Sequence, residues 1–575
     1  MADKEELARL LAEIAVMLEL SGETVFKVRA YQNAARLVEL ADEPLSGADG
    51  LAKLVAIKGI GPVIGDTIRE YIATGRLTYY EELKQSLPPV LFDLMKLPGV
   101  GPKKALVLQQ QLGINSLGEL EYACRENRLA ALKGFGQKSQ ERILQGIEHM
   151  KKFQGQFILG DAWPVADLIV EYIKLQPGGE QAAVAGDIRR GLEIVRDIAI
   201  VVASSDFAGL GAALKDMPGV TQVDSREEGH TLILTLSNGL VCRVFLVNPS
   251  DYIPALLYYT GSEGYLARLA ERAADQGLVL AATGLAGRSG EPLAVAAEQD
   301  IFAALAVSYA EPELREDDAA LEPAGTITAP LITLKDIQGV FHVHTTYSDG
   351  GSSLADMAAA ARNRGWQYLG IADHSQTAVY ARGLKVETVL AQRREIEKLN
   401  AVHAGTGMVI LAGIESDILP DGSLDYPDEV LAGFDFVVAS VHSAFRQSEA
   451  DMTRRLIRAV ENRYVTILGH PTGRLLLGRK GYAVNLPEVI RAAAQSGTVI
   501  ELNASPYRLD LDWRWCRQAQ EQGVLLAINP DAHGVSELEH MRYGVAAARK
   551  AGLTADDIVN ARTYSEVKKL LQRKR

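Results

Sequence analysis

Ten histidines occur in this 575-residue chain, and six stand at the ends of short apolar runs after residue 340. The runs and their continuations read VFHVHTTYSDG (340–350), QYLGIADH (367–374), MVILAGIE (408–415), FDFVVASVH (434–442), YVTILGH (464–470) and VLLAINPDAH (524–533); TVIELN (498–503) completes seven. His342 and His344 are two apart on a strand, so both side chains face one way, and Asp531 and His533 repeat the arrangement. Imidazoles mixed with carboxylates suit Zn²⁺, Mn²⁺ or Fe²⁺ better than Mg²⁺ or Ca²⁺, which prefer oxygen ligands alone. Cations gathered there would lower the pKa of bound water and activate it as a nucleophile. A single histidine at a strand end is more often a packed or capping residue. Six in succession, with acids between them, point to a shared pocket.

Such a pocket needs a scaffold that brings distant strand ends together. From Val340 onward, apolar runs alternate with amphipathic stretches of helical period, the signature of a β/α architecture. In a β/α barrel the strand C-termini all open onto one face. Residues 1 to about 155 read instead as helices joined by short Gly-containing turns. Between 156 and 250 the pattern changes to short strands such as IAIVVA (198–203), TLILTL (231–236) and LVCRVFLV (240–247), with a helical stretch following at 255–278. Residues 310–338 are rich in Pro and charge, lack helical period and read as a linker. The domain boundaries are therefore set at 1–82, 83–155, 156–254, 255–315, 316–338 (the linker) and 339–575.

Composition bounds the setting. Apolar and charged fractions of 47% and 23% are those of a globular protein. No run approaches the ~18 apolar residues of a membrane span, and the start MADKEELARL is too acidic for a signal peptide. Cys124, Cys242 and Cys516 share no metal-ligand spacing and suit a reducing cytoplasm. The expected protein is a cytoplasmic, nucleoid-associated monomer without a membrane partner. A net charge of -13 argues against indiscriminate adhesion to nucleic acid, yet residues 84–152 carry 11 Lys and Arg against 6 Asp and Glu.

That basic region holds part of a repeated pattern: Ile57-Lys58-Gly59-Ile60-Gly61, Leu97-Pro98-Gly99-Val100-Gly101 and Leu132-Lys133-Gly134-Phe135-Gly136. Each precedes a helix start. Two glycines around one apolar residue allow a tight turn in which the apolar residue plugs the core. The amides of the next helix start then face a nucleic-acid phosphate without reading sequence. Lys103, Lys104 and Lys138 stand where they would reinforce this. One copy could be a plain helix–helix turn, but three resemble helix-hairpin-helix DNA-binding motifs.

Next come Ala185-Gly186-Asp187-Ile188-Arg189-Arg190-Gly191, Arg196-Asp197-Ile198-Ala199-Ile200 and Tyr258-Tyr259-Thr260-Gly261-Ser262. This order resembles the palm and thumb of a family X DNA polymerase, a nucleotidyltransferase fold. Taken whole, the chain resembles the bacterial family X polymerases with a C-terminal PHP (polymerase and histidinol phosphatase) domain. The fold expected is multi-domain: a helical helix-hairpin-helix N-terminus, an α+β nucleotidyltransferase-like palm and thumb, and a C-terminal distorted (β/α)7 PHP barrel.

The family's loop reads Gly-Ser-x-Arg-Arg-Gly, followed by an Asp-x-Asp strand and a third Asp on a neighbouring strand; these carboxylates hold two Mg²⁺ ions. Here the loop serine is Asp187, Asp197 matches the first carboxylate, the second falls on Ala199, and the third falls on or near Arg243. No acidic residue at all occurs between Glu228 and Asp251. One carboxylate cannot clamp two ions ~3.5–4 Å apart, so Mg²⁺ binding and templated synthesis are expected to be lost or severely weakened. Gly186, Arg189, Arg190, Thr260, Gly261 and Ser262 would keep phosphate contacts at that degenerate site.

The PHP motifs H-x-H-x-x-x-S-D-G, A-D-H, G-x-E, V-H, G-H-P and D-A-H are all present, and the resemblance implies three divalent ions. His342, His344, Glu415 and Asp531 would hold one, and Glu415, His442 and His470 a second. Asp349, His374 and His533 would hold the third. Asp373 and Asn503 are read as residues that orient these ligands. Arg382 and Arg474 are read either as phosphate contacts or as solvated loop arginines. The family implies a 3′–5′ exonuclease, 3′-phosphatase or abasic-site endonuclease acting on gapped, nicked or 3′-damaged DNA. Two alternatives stay open: a gap-filling polymerase with PHP proofreading, and a non-catalytic DNA-end binding protein.

Overall fold

The computed structural model describes residues 4–573 except 41–54, 56, 58, 130–131, 152–154, 180, 227–229, 318, 327–328, 403 and 406. Lys58 of the first hairpin pattern lies outside the described residues. The chain divides into two compact units, 1–147 and 148–575. Among the described residues no helix is long and apolar enough to cross a membrane.

The first unit is helical. Its second and third hairpin patterns match the sequence reading closely. Helices Val90–Met95 and Pro102–Leu112 flank Gly99 and Gly101, and helix Gln137–Lys151 follows Gly136. The first glycine of each pattern has positive φ: +117° at Gly59, +80° at Gly99 and +91° at Gly134. A side chain would be strained there. Each turn closes with the same hydrogen bond, Ile60 N to Ile57 O, Val100 N to Leu97 O and Phe135 N to Leu132 O, at 3.1, 3.2 and 3.0 Å. Val100 and Phe135 are buried as expected, whereas Ile60 is only half-buried.

In the second unit, a five-stranded mixed sheet is ordered 181–185, 198–203, 241–247, 231–236, 220–226. Beyond it, helices Tyr252–Thr260, Glu263–Asp275 and Glu298–Ala304 enclose a separate small core around Leu257, Tyr265, Leu269 and Phe302. Residues 310–338 carry only the short 3-10 helices Pro312–Leu314 and Leu334–Asp336 among the described residues, and the segment is tied down: Arg315 is fully buried, and Glu316 bonds Arg190 and Lys550.

Seven parallel strands then run in sequence order: Gly339–Val340, Tyr368–Ile371, Val409–Asp417, Phe436–Ser440, Ile467–Leu468, Val499–Asn503 and Leu526–Asn529. A parallel bridge between Val343 and Ala532 joins the ends of the first and last strands and nearly closes the barrel. The strands are almost wholly apolar because helices cover their outer face and side chains fill the inner one. The helices carry ordinary local signals. Leu486–Ser496, for example, starts with an Asn485 cap and Pro487 and ends at Gly497 with φ of +70°.

One apolar cluster runs from the five-stranded sheet (Ile198, Ile200, Val244) into the barrel (Leu369, Ile500, Ile528), so the two share a core. Polar joints reinforce it. Arg474, Lys550 and Arg549 of the barrel bond Glu193, the Arg190 carbonyl and Glu313.

Candidate metal centre

All nine side chains singled out in the barrel lie at strand C-termini and converge. Glu415 stands at the middle of the group. Its carboxylate oxygens lie 3.4 Å from His342 Nε2, 2.8 Å from His374 Nδ1, 3.2 Å from His442 Nε2 and 3.0 Å from His470 Nε2. Asp531 Oδ1 is 3.1 Å from His344 Nε2 and 3.4 Å from His342 Nε2. Asp349 lies 3.5 Å from His374 Nε2 and 3.4 Å from His533 Nε2.

Three donor groups have ligand atoms close enough to surround one ion each: His344 with Asp349, His374 and His533; His342 with His344 and Glu415; and His374 with Glu415 and His442. His470 and Asp531 border these groups. The donors fit divalent cations on a further observation. His342 Nε2, His344 Nδ1, Asp349 Oδ2, His374 Nε2 and Glu415 Oε2 are buried without a hydrogen-bond partner. A buried polar atom left so costs about 1–3 kcal/mol, and a cation satisfies several at once.

The electrostatics are those of a crowded, buried site. Burial alone would raise the Glu415 carboxyl, but the imidazoles of His442, His342 and His374 overcome it and hold it well below the usual carboxylate range. Asp531 is depressed in the same way, by His342 and His344 acting against burial. Burial and the neighbouring His533 and His374 push His344 down to about 3, leaving its ring neutral with a free lone pair. A neutral imidazole is what a cation requires.

Outer contacts fix the ligands. Asn503 Nδ2 donates to Asp531 Oδ2 at 3.0 Å. Asp373 accepts from Thr345 N and the Ser348 hydroxyl, in the loop that carries Asp349, and from Gln392. Two orienting carboxylates escaped the sequence reading. Glu501 accepts from His342 Nδ1 at 2.8 Å, His470 N at 2.7 Å and Asn529 Nδ2 at 3.0 Å. Asp417 accepts from His442 Nδ1 at 2.6 Å. The signal for Asp417 was its place two residues after Glu415, on the same strand face. Glu501 was visible as the one acid inside TVIELN.

Of the two loop arginines, Arg382 is exposed. Arg474 is neither a phosphate contact nor solvated. Its half-buried guanidinium is spent on Asp512 at 2.8 Å, the Arg508 carbonyl at 2.9 Å, the Leu509 carbonyl and Glu193.

The residues of the polymerase-like pocket also come together. Strand 198–203 pairs in parallel with 241–247, with Ala199 opposite Arg243. Arg243 Nη2 donates to Asp197 Oδ1 at 2.8 Å. Arg189 bonds Thr260 Oγ1 at 2.8 Å and Glu298, and Arg190 bonds the Thr260 carbonyl, Asp187 and Glu316. Gly186 adopts φ of +58°. Gly261 ends helix 252–260, and the Ser262 hydroxyl caps the next helix by accepting from Tyr265 N. Protein groups therefore already engage both arginines.

In the helical unit, helices Pro62–Thr74 and Pro102–Leu112 begin at Gly61 and Gly101 without a side-chain cap, which leaves their first amides open to an anion. Gly61, Gly101 and Gly136 are exposed, as are Lys103 and Lys138, while Lys104 lies over the Phe135 ring at 5.2 Å.

Known proteins share these parts. Family profiles match a helix-hairpin-helix domain at residues 2–77 and a SAM-like helix-hairpin-helix tandem at 91–148. A DNA polymerase beta thumb matches at 255–316 and a PHP domain at 341–505. The chain is 36% identical to the "DNA polymerase/3'-5' exonuclease PolX" of Bacillus subtilis over 572 residues, 99% of each protein. A probable phosphatase of Thermoanaerobacter sp. is 28% identical over 251 residues, 41% of this chain and 94% of that protein. Another from Caldanaerobacter subterraneus is 28% identical over the same length and is 91% covered. With matching hairpin, thumb and barrel parts and a relative that aligns over nearly its whole length, the chain belongs to the bacterial family X DNA polymerases that carry a C-terminal PHP domain.

Proposed function

We propose that this protein is a DNA-binding, metal-dependent phosphoesterase of repair, acting as a 3′–5′ exonuclease, in 3′-end processing or in abasic-site cleavage, with templated synthesis lost or weak. The observation that carries the reading is the convergence of seven imidazole and carboxylate side chains in three donor groups, with His470 and Asp531 against them and several donor atoms unbonded. Up to three divalent ions (Zn²⁺, Mn²⁺ or Fe²⁺) fit the three donor groups. When bound, they supply charge neutralisation for the phosphate and a lowered water pKa. The chain's own part is to hold the donors correctly aimed. Glu415 spans two of the three groups, and Asp531 and Asn503 close one side.

Glu501 fixes His342 with Nδ1–H turned outward and Nε2 turned toward the group. Partners of this kind are worth roughly 10–100-fold in metal affinity. Glu501→Gln is therefore expected to weaken Co²⁺ or Mn²⁺ binding by about that factor, measured by chelator competition on the full-length protein. Unchanged affinity would show that Glu501 merely fills space.

The reading of the polymerase-like pocket rests on Ala199 and Arg243 standing where carboxylates are needed and on the Arg243–Asp197 pair. A guanidinium beside Asp197 repels cations. The B. subtilis relative's name favours a second reading, in which synthesis persists. One labelled, gapped duplex incubated with Mn²⁺, with and without dNTP, separates the outcomes. Shortening is expected. Efficient extension would restore the polymerase reading, and gel retardation alone would leave a binding protein.

A further inference from the structure

Beside the metal centre, the loop between Ser375 and Leu384 is built to stay in place. Its ends pair in a bridge, Ala378 and Ala381 are fully buried, and Gly383 N bonds the Ala378 carbonyl at 3.0 Å. Thr377 donates to Asp425 at 2.7 Å and to Asp417 at 2.9 Å, and Asp417 also orients His442. Folding would favour turning this loop's apolar side chains inward, yet Val379 is 80% exposed. The half-buried Tyr380 ring lies 6.1 Å from the His374 ring and 6.4 Å from that of His442. Arg382 projects from the same turn, exposed, in the left-handed backbone region at φ of +58°. An aliphatic, an aromatic and a guanidinium thus stand together, on a braced loop, at the edge of the candidate phosphate-cleaving site.

We propose that this loop is the platform for the terminal nucleobase of a DNA strand: Tyr380 stacks on the base, Val379 packs against its edge and Arg382 meets a neighbouring phosphate. Every base offers a π-face, so such a platform accepts any terminal nucleotide while selecting for one that carries a base and is unpaired. A tyrosine suits the task because it presents a large contact area with few rotatable bonds. The proposal rests on the phosphoesterase reading and narrows its substrate to a single-stranded end.

The test uses full-length protein with Mn²⁺ and two single-stranded oligonucleotides, identical except that the 3′-terminal residue carries thymine or is a base-free tetrahydrofuran. Wild type is expected to release the thymine-bearing residue with a KM about five- to hundredfold lower. Tyr380→Ala should erase that preference, Tyr380→Phe should keep it, and Arg382→Ala should raise both KM values together. Val379→Ala, a smaller change, should narrow the preference without erasing it. Equal KM values in wild type, or a preference surviving in Tyr380→Ala, would overturn the platform while leaving the metal-centre reading intact. Failure of wild type to release either residue would remove the exonuclease reading, and the platform with it.

Discussion

Replacing His342 and His344 together by alanine is expected to reduce phosphodiester cleavage by at least ~10³-fold while DNA binding stays at the wild-type level. The two side chains contribute to two of the three donor groups, so their loss leaves His342's group with Glu415 alone. Metal-based stabilisation of phosphoryl transfer amounts to several kcal/mol, and each 1.36 kcal/mol is tenfold in rate. The hairpins proposed to grip DNA lie in the helical unit, and the proposed end platform of Val379, Tyr380 and Arg382 does not include these histidines. Cleavage of a labelled 3′ end is the readout for the first arm and gel retardation for the second. Undiminished cleavage would place the chemistry elsewhere in the molecule.

Glu298→Gln should destabilise the protein by about 3–5 kcal/mol, the usual result of removing one member of a buried ion pair. The carboxylate receives two bonds from Arg315, at 3.1 and 2.7 Å, and two from Arg189, at 2.8 and 3.2 Å. Arg315 is fully buried, so the substitution strands a guanidinium away from water. Burial works against the Glu298 anion, but the guanidiniums of Arg315 and Arg189 prevail and hold it at about 2, from an ordinary 4.5. A depressed carboxyl stabilises the fold above its unfolded value and ceases to do so as pH falls from about 4.5 to about 2. The contribution lost over that window is about 3 kcal/mol. Urea midpoints between pH 7 and pH 3 should therefore fall more steeply for wild type than for the variant. Parallel curves would mean that the pair contributes no net stability.

Much of this was legible in the residues because the chemistry is written locally. Each barrel ligand sits at the end of an apolar run or in the few residues that follow it, so strand periodicity and residue type together located the centre. Gly-x-Gly turns were equally readable, since the positive φ at Gly59, Gly99 and Gly134 leaves little choice of residue. What stayed hidden depended on long-range pairing. Nothing near Glu501 in the chain indicates that it meets His342, 159 residues away. Arg474 looked like an exposed loop residue because its partner Glu193, 281 residues distant, belongs to another part of the chain. The linker's composition concealed Arg315, whose charge is tolerable in the interior only because Glu298 is there to meet it.

The joints made by Arg474, Lys550 and the shared apolar core fasten the mixed sheet to the barrel. The mixed sheet and the barrel are therefore expected to melt together as one cooperative unit, not one after the other.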